Sequence, residues 1–135
     1  MKYLVTGGAG FIGSNLVRAL LEQGHAVRVL DNFSSGKEDN LAEIINDIEL
    51  VEGDIRDYWV VSAAVKGIDC VSHQAALPSV PKSIANPLSA HCINADGTLS
   101  MLEASRLAGV KRFVFASASA VYGEPPSLPK HEAMI

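Results

Sequence analysis

The chain has 135 residues, 48% hydrophobic and 19% charged, with a formal net charge of −4. That is enough for one domain with its own core, and the mild acidity lacks the basic footprint of a nucleic-acid binder. Lys2 precedes a short apolar run, but Thr6-Gly7-Gly8 interrupts it and no long apolar segment follows, so neither a signal peptide nor a membrane span is expected and the chain reads as soluble and cytoplasmic.

Lys2–Thr6 (KYLVT) reads as a strand buried on both faces. From Phe11 to Gln23 the apolar residues Ile12, Leu16, Ala19 and Leu20 keep helical spacing, and Gly24 closes the segment. Ala26–Leu30 is a second strand ending at Asp31, and Asn32–Lys37 is turn chemistry. A polar helix is expected from about Glu38 to Asn46, then a third strand, Ile48–Glu52. A helix from Tyr58 to Val65 stops at Gly67, and Ile68–Ser72 is a fourth strand.

A loop carrying Pro78 and Pro81 then leads to a long helix from Pro87 to Ala108, stopped by Gly109. Lys111–Ala116 is a fifth strand, and the chain after Gly123 is Pro-rich and irregular. Alternating strands and helices with continuously apolar strands argue for an α/β fold, a doubly wound parallel sheet in the order 3-2-1-4-5. Cys70 and Cys92 form no CxxC or ligand spacing and read as two buried thiols in a reducing compartment, and no metal site is visible.

The first strand runs straight into Gly7-Gly8-Ala9-Gly10-Phe11-Ile12-Gly13. Gly7 permits a tight turn, Gly10 a close approach to a pyrophosphate, and Gly13 close helix–strand packing, while the helix N-terminus turns its N–H groups toward the phosphates. Asp31, ending the second strand, suits both ribose hydroxyls and repels a 2′-phosphate, favouring NAD over NADP; it also suits a simple turn cap. Asp54 reads equally as an acceptor for the adenine amino group or as a helix N-cap. His73 reads as a packed, hydrogen-bonded histidine rather than a general base.

GGAGFIG at Gly7–Gly13, DN at Asp31-Asn32, GDIRD at Gly53–Asp57, HQAA at His73–Ala76, NADGT at Asn94–Thr98 and VYG at Val121–Gly123 occur in order along essentially the whole chain. Together they resemble the extended short-chain dehydrogenase/reductase family, and within it the NAD-dependent nucleotide-sugar epimerases and dehydratases. LPSVPKSI at Leu77–Ile84 is similar to the UDP-glucose and UDP-N-acetylglucosamine 4-epimerases. The resemblance implies a Rossmann-type NAD domain over residues 1–135, incomplete after about five strands. Gly7, Gly10, Phe11, Ile12, Gly13, Asp31, Asn32, Ser34, Ser35 and Gly36 would then surround the adenosine and pyrophosphate. Asp54 and Ile55 would flank the adenine, and Gln74, Ala75 and Ala76 would follow the nicotinamide half. Asn94 would brace adjacent loops with its amide, and Ser79 falls where relatives approach the sugar, though a serine between prolines is also plain turn chemistry.

The implied reaction is transient oxidation at C4 of a UDP-sugar by NAD, with a tyrosine base four residues before a lysine and a Ser or Thr hydroxyl at the end of the fifth strand. No YxxxK occurs: Tyr3, Tyr58 and Tyr122 are followed four residues on by Gly7, Ser62 and Pro126. The resemblance puts that tyrosine beyond Ile135, so an N-terminal portion, inactive alone, marginally stable and prone to associate, is expected. Counting back from Gly123, the hydroxyl position falls on Ala118, flanked by Ser117 and Ser119, of which Ser119 is the better substitute. The helix Pro87–Ala108 is the expected homodimer contact. A non-catalytic dinucleotide sensor or scaffold is the alternative from another class. A 4,6-dehydratase is disfavoured, because Ser119-Ala120 stand where that group has an Asp-Glu pair, and S-adenosylmethionine is a poorer match to the glycine spacing.

Overall fold

The structure is a computed structural model and describes residues 1–123, 129–131, 133 and 134, without the side chain of Ser119. Five strands, β1 (Lys2–Thr6), β2 (Ala26–Asp31), β3 (Ile48–Glu52), β4 (Cys70–His73) and β5 (Arg112–Phe115), pair in parallel in the order β3-β2-β1-β4-β5. β1 is central, so Val5 stands in register between Val29 and Ser72, and Thr6 between Leu30 and His73. Side chains alternate along a strand, and the core divides accordingly. Leu4, Leu30 and Val71 pack on one face with Val61, Met101 and Ala104. Val5, Val27 and Val29 pack on the other with Val17, Leu20 and Leu41. Burial on both faces is why β1, β2 and β4 read as largely apolar runs, whereas β3 and β5 at the sheet edges bury no residue completely.

Helix α1 (Phe11–Glu22) covers the second face; α2 (Tyr58–Ala64) and α5 (Gly97–Leu107) cover the first. Asp57 caps α2, its carboxylate accepting from the Trp59 and Val60 N–H groups. That leaves Asp54 outside the capping role.

Several expected elements differ. The polar helix at 38–46 is two 3₁₀ stretches, Glu38–Asn40 and Ala42–Asp47, because Asn40 donates to Ala9 O and Leu41 is buried at their junction. The fourth strand starts later than Ile68, whose N–H closes the turn after α2 on Val65 O, and extends through His73, paired with both Thr6 and Phe115. The Pro78–Asn86 segment contains a helix, α3 (Val80–Ala85), capped by Ser79, with a proline in its first turn where no N–H is missed. The long helix is α4 (Pro87–His91), a π-helical turn at Cys92–Asp96 and then α5. Cys92 lies on that turn and is exposed, so only Cys70 is a buried thiol, as a wider turn swings its outer side chains away from the sheet.

Candidate functional site

A cleft of about 720 Å³ opens at the C-terminal ends of β1, β2 and β4. Its floor is the turn from β1 to α1. Gly7 has φ +67, and a Cβ there would meet the Ala75 backbone at 2.9 Å. α1 starts at Gly10 with no capping side chain and no acidic residue in its first turn, so the positive end of its dipole faces the cleft uncompensated.

Asp31 sits beside that turn, almost fully buried. Its Oδ2 accepts from the Ala9 N–H and its Oδ1 from the Phe33 N–H, both at 2.9 Å. Each oxygen keeps a further lone pair. Phe33 has φ 53, the only non-glycine positive φ among the described residues; the Asp31 bond offsets that strain and aims Ser34–Gly36 back at Ala9, whose carbonyl receives the Lys37 N–H.

Asp54 lines the same cleft, but its carboxylate is already engaged. Arg56 donates to Oδ1 through N and Nε and to Oδ2 through Nη2, and Asn32 Nδ2 donates to Oδ2. The Arg56 guanidinium holds this carboxyl far below the usual range.

The Gln74–Leu77 wall is tied to the sheet by a hydrogen-bond network that is buried between Thr6 and His73 and exposed between Asn94 and Leu77. Thr6 Oγ1 lies 2.7 Å from His73 Nδ1 and accepts from the Gln74 and Ala75 N–H groups. His73 Nε2 lies 3.1 Å from Thr98 Oγ1, which donates to Asn94 O in the π-helical turn. The Asn94 side chain then clasps Leu77, accepting its N–H at 2.8 Å and donating to its carbonyl at 3.3 Å. His73 is buried and holds no acid–base position on the cleft surface; burial pushes its pKa down to about 4.

Gly7, Gly10, Phe11, Ile12, Gly13, Asp31, Asn32, Ser34, Ser35, Gly36, Asp54, Ile55, Gln74, Ala75 and Ala76 all line this one cleft. Asn94 lies behind it, acting on Leu77. Ser79 is not among the lining residues and accepts from the Lys82 N–H as the cap of α3. Ser117 and Ala118 are exposed beyond β5 and away from the cleft lining, and the Ser119 side chain lies outside the described residues. Sequence reasoning missed Leu77, Pro78, Lys82, Ala85, Asn86, Ser89 and Ile93, which complete the lining. Their i, i+3, i+4 spacing was the available signal, hidden by treating the prolines as loop markers. Among the described residues no group of His, Cys, Asp or Glu is arranged to hold a metal, and no helix is long and apolar enough to cross a membrane.

Residues 3–135 match the NAD dependent epimerase/dehydratase family. The chain belongs to that family. A UDP-glucose 4-epimerase of Klebsiella pneumoniae is 40% identical across 98% of this chain and 100% of its own length. One from Corynebacterium glutamicum is 41% identical over 99% of this chain but only 40% of its own. The UDP-glucose 4-epimerase of Thermus thermophilus, solved as a complex with NAD, superposes with a TM-score of 0.89 at 42% identity, covering 99% of this chain and 43% of that one. A dTDP-glucose 4,6-dehydratase of Streptomyces venezuelae, also solved with NAD, gives 0.90 at 38% identity, covering all of this chain and 45% of that one. This family member thus spans about two fifths of most of these relatives.

Proposed function

We propose that the cleft binds NAD and that this chain is the cofactor-binding part of a UDP-sugar 4-epimerase. One observation carries the reading: the Gly7–Gly13 turn and the Asp31 carboxylate share a cleft, with Asp31 anchored to Ala9 of that turn. The residues suit the dinucleotide. A side chain at Gly13 would collide with the backbone of the turn, 2.7 Å from Gly8 Cα, and prevent α1 from starting so close to β1; the uncapped start of α1 suits a pyrophosphate, and the free lone pairs of Asp31 suit two ribose hydroxyls. NAD, when bound, supplies the hydride acceptor for oxidation at a sugar carbon. Gly7, Gly10, Phe11, Ile12 and Gly13 hold the phosphates. Asp31, Asn32, Ser34, Ser35 and Gly36 hold the adenosine ribose side, and Asp54 and Ile55 border the base. Gln74, Ala75 and Ala76 follow the other half, kept in place by Thr6 and by Asn94.

The substrate side belongs to the whole protein. Similarity to several 4-epimerases supports a UDP-sugar, with Ser117 or Ser119 holding the sugar oxygen in place of Ala118, and Ser79 at the sugar side only if α3 rearranges. A dTDP-glucose 4,6-dehydratase superposes equally well, but Ser119-Ala120 lack that chemistry's carboxylates. A catalytically silent dinucleotide module is separated by whether the whole protein carries YxxxK and interconverts UDP-sugars. Leu99 and Leu102, exposed on α5, support a homodimer through this helix, which sedimentation measures.

Calorimetry with NAD and NADP tests the cofactor assignment. NAD should bind at least about tenfold more tightly, because a 2′-phosphate would meet the Asp31 charge. Tighter binding of NADP overturns it.

A further inference from the structure

The far wall of the cleft has no role in the dinucleotide assignments above. It is formed by α3 and α4, and their amphipathicity runs opposite to that of a core-packed helix. Lys82, Asn86 and Ser89 line the cleft, while Val80, Ile84 and Leu88 on the other side are 71%, 75% and 78% exposed. α3 buries no residue and α4 buries only Ala90. Polar side chains turned inward over an open cleft are what a polar ligand requires.

The chemistry of this strip is one-sided. Asn86 spends its Oδ1 on the Ser89 N–H, which leaves its Nδ2 donors unused. Among the described residues, neither Lys82 Nζ nor Ser89 Oγ has a hydrogen-bond partner. An ammonium, an amide NH₂ and a hydroxyl therefore line one wall as donors. Of the charged residues lining the cleft, Asp31 and Asp54 are acidic, and Asp54 is already paired with Arg56. Lys82 is the one cation lining the cleft among the described residues, and no carboxylate holds it. The uncapped start of α1 lines the same cleft and also favours negative charge.

We infer that Lys82, with Asn86 and Ser89, forms a phosphate-binding strip that grips a pyrophosphate from the α3–α4 side of the cleft. This rests on the reading that the cleft takes a nucleotide. Two sources offer the same chemistry: the pyrophosphate bridge of the dinucleotide, and the diphosphate of a second nucleotide sharing the cleft.

The test is calorimetric titration of the chain and its Lys82→Gln and Lys82→Arg variants with adenosine, NAD and UDP. Adenosine should bind all three proteins alike. Lys82→Gln should weaken a phosphate-bearing ligand about tenfold, the scale of one charge-assisted hydrogen bond, and Lys82→Arg should restore most of that loss. Weakening confined to NAD assigns the strip to the dinucleotide, and weakening confined to UDP assigns it to a second nucleotide. If Lys82→Gln binds NAD and UDP as the unmodified chain does, the strip is wrong and the dinucleotide reading stands. Equal loss of adenosine binding also overturns it, since Lys82 would then act through the fold. An unmodified chain that binds neither NAD nor UDP overturns both readings.

Discussion

The Thr6 hydroxyl donates its only proton to His73 Nδ1, 2.7 Å away. That direction is forced: Thr6 Oγ1 already accepts the N–H groups of Gln74 and Ala75, and a hydroxyl has one proton to give. A neutral imidazole that accepts at Nδ1 carries its own proton on Nε2, where it meets Thr98, whose proton goes on to Asn94 O. The histidine is thereby fixed in one tautomer and its proton is committed to Thr98.

This arrangement predicts an acid-sensitive fold. Burial lowers the His73 pKa from 6.5 to about 4, so between those values the unfolded chain binds more protons than the folded one. Stability must then fall as pH drops from about 6.5 to about 4. Urea midpoints across that range should show the slope, and His73→Gln should flatten it. Glu49, Asp54, Asp69 and Glu103, all held below their ordinary values by paired cations, add their own loss only as pH falls toward those ordinary values of 4.5 for the glutamates and 3.8 for the aspartates, so the upper part of the window belongs to His73.

Gly13→Ala should damage both fold and ligand binding. Its Cβ would collide with Gly7 O and sit 2.7 Å from Gly8 Cα, both backbone atoms that cannot step aside. We expect a loss of about 2 kcal/mol or more in urea unfolding, together with loss of NAD binding. Gly24→Ala is the control: φ is +76 but the space is open, so about 1 kcal/mol of backbone strain is expected and no effect on ligand.

Asn94→Ala removes both hydrogen bonds to Leu77 and leaves the sheet untouched. Amide exchange at Leu77 should accelerate by about tenfold or more, with the global unfolding midpoint nearly unchanged. Unchanged exchange would show that the clasp does not hold the wall.

Ser105→Ala should stabilise the chain. Ser105 Oγ is buried on α5 without a hydrogen-bond partner among the described residues, a desolvation cost of about 1–3 kcal/mol that alanine removes. Higher helix propensity adds a little more. A lower urea midpoint would count against this.

The strand order and the cleft floor were legible because both rest on local signals. Lys2–Thr6 and Ile48–Glu52 are bounded by turns and rich in apolar residues, and the glycine spacing reports a steric need that no other residue meets. The far wall was not legible. Pro78 and Pro81 look like breakers, whereas a proline in the first turn of a Ser79-capped helix breaks nothing. The π-helical turn was equally hidden, since one extra residue per turn leaves the apolar period of Pro87–Ala108 almost intact. Its consequence, the Asn94 clasp, depends on Leu77 arriving from elsewhere in the chain. Asp54 shows the same limit: a carboxylate at the edge of β3 was readable, its capture by Arg56 was not.

The two walls of the cleft differ in what anchors them. The glycine turn grows directly out of the central strand, and moving it means breaking the sheet. α3 contributes nothing to the core, and the segment that leads into it is held by Thr6 at Ala75 and by Asn94 at Leu77. Opening at that side costs a few partly buried or exposed hydrogen bonds, against a whole layer of buried side chains at the other. The half of the cleft built into the sheet is a fixed anvil, and the half leaning on it is the part with the least to hold it in place.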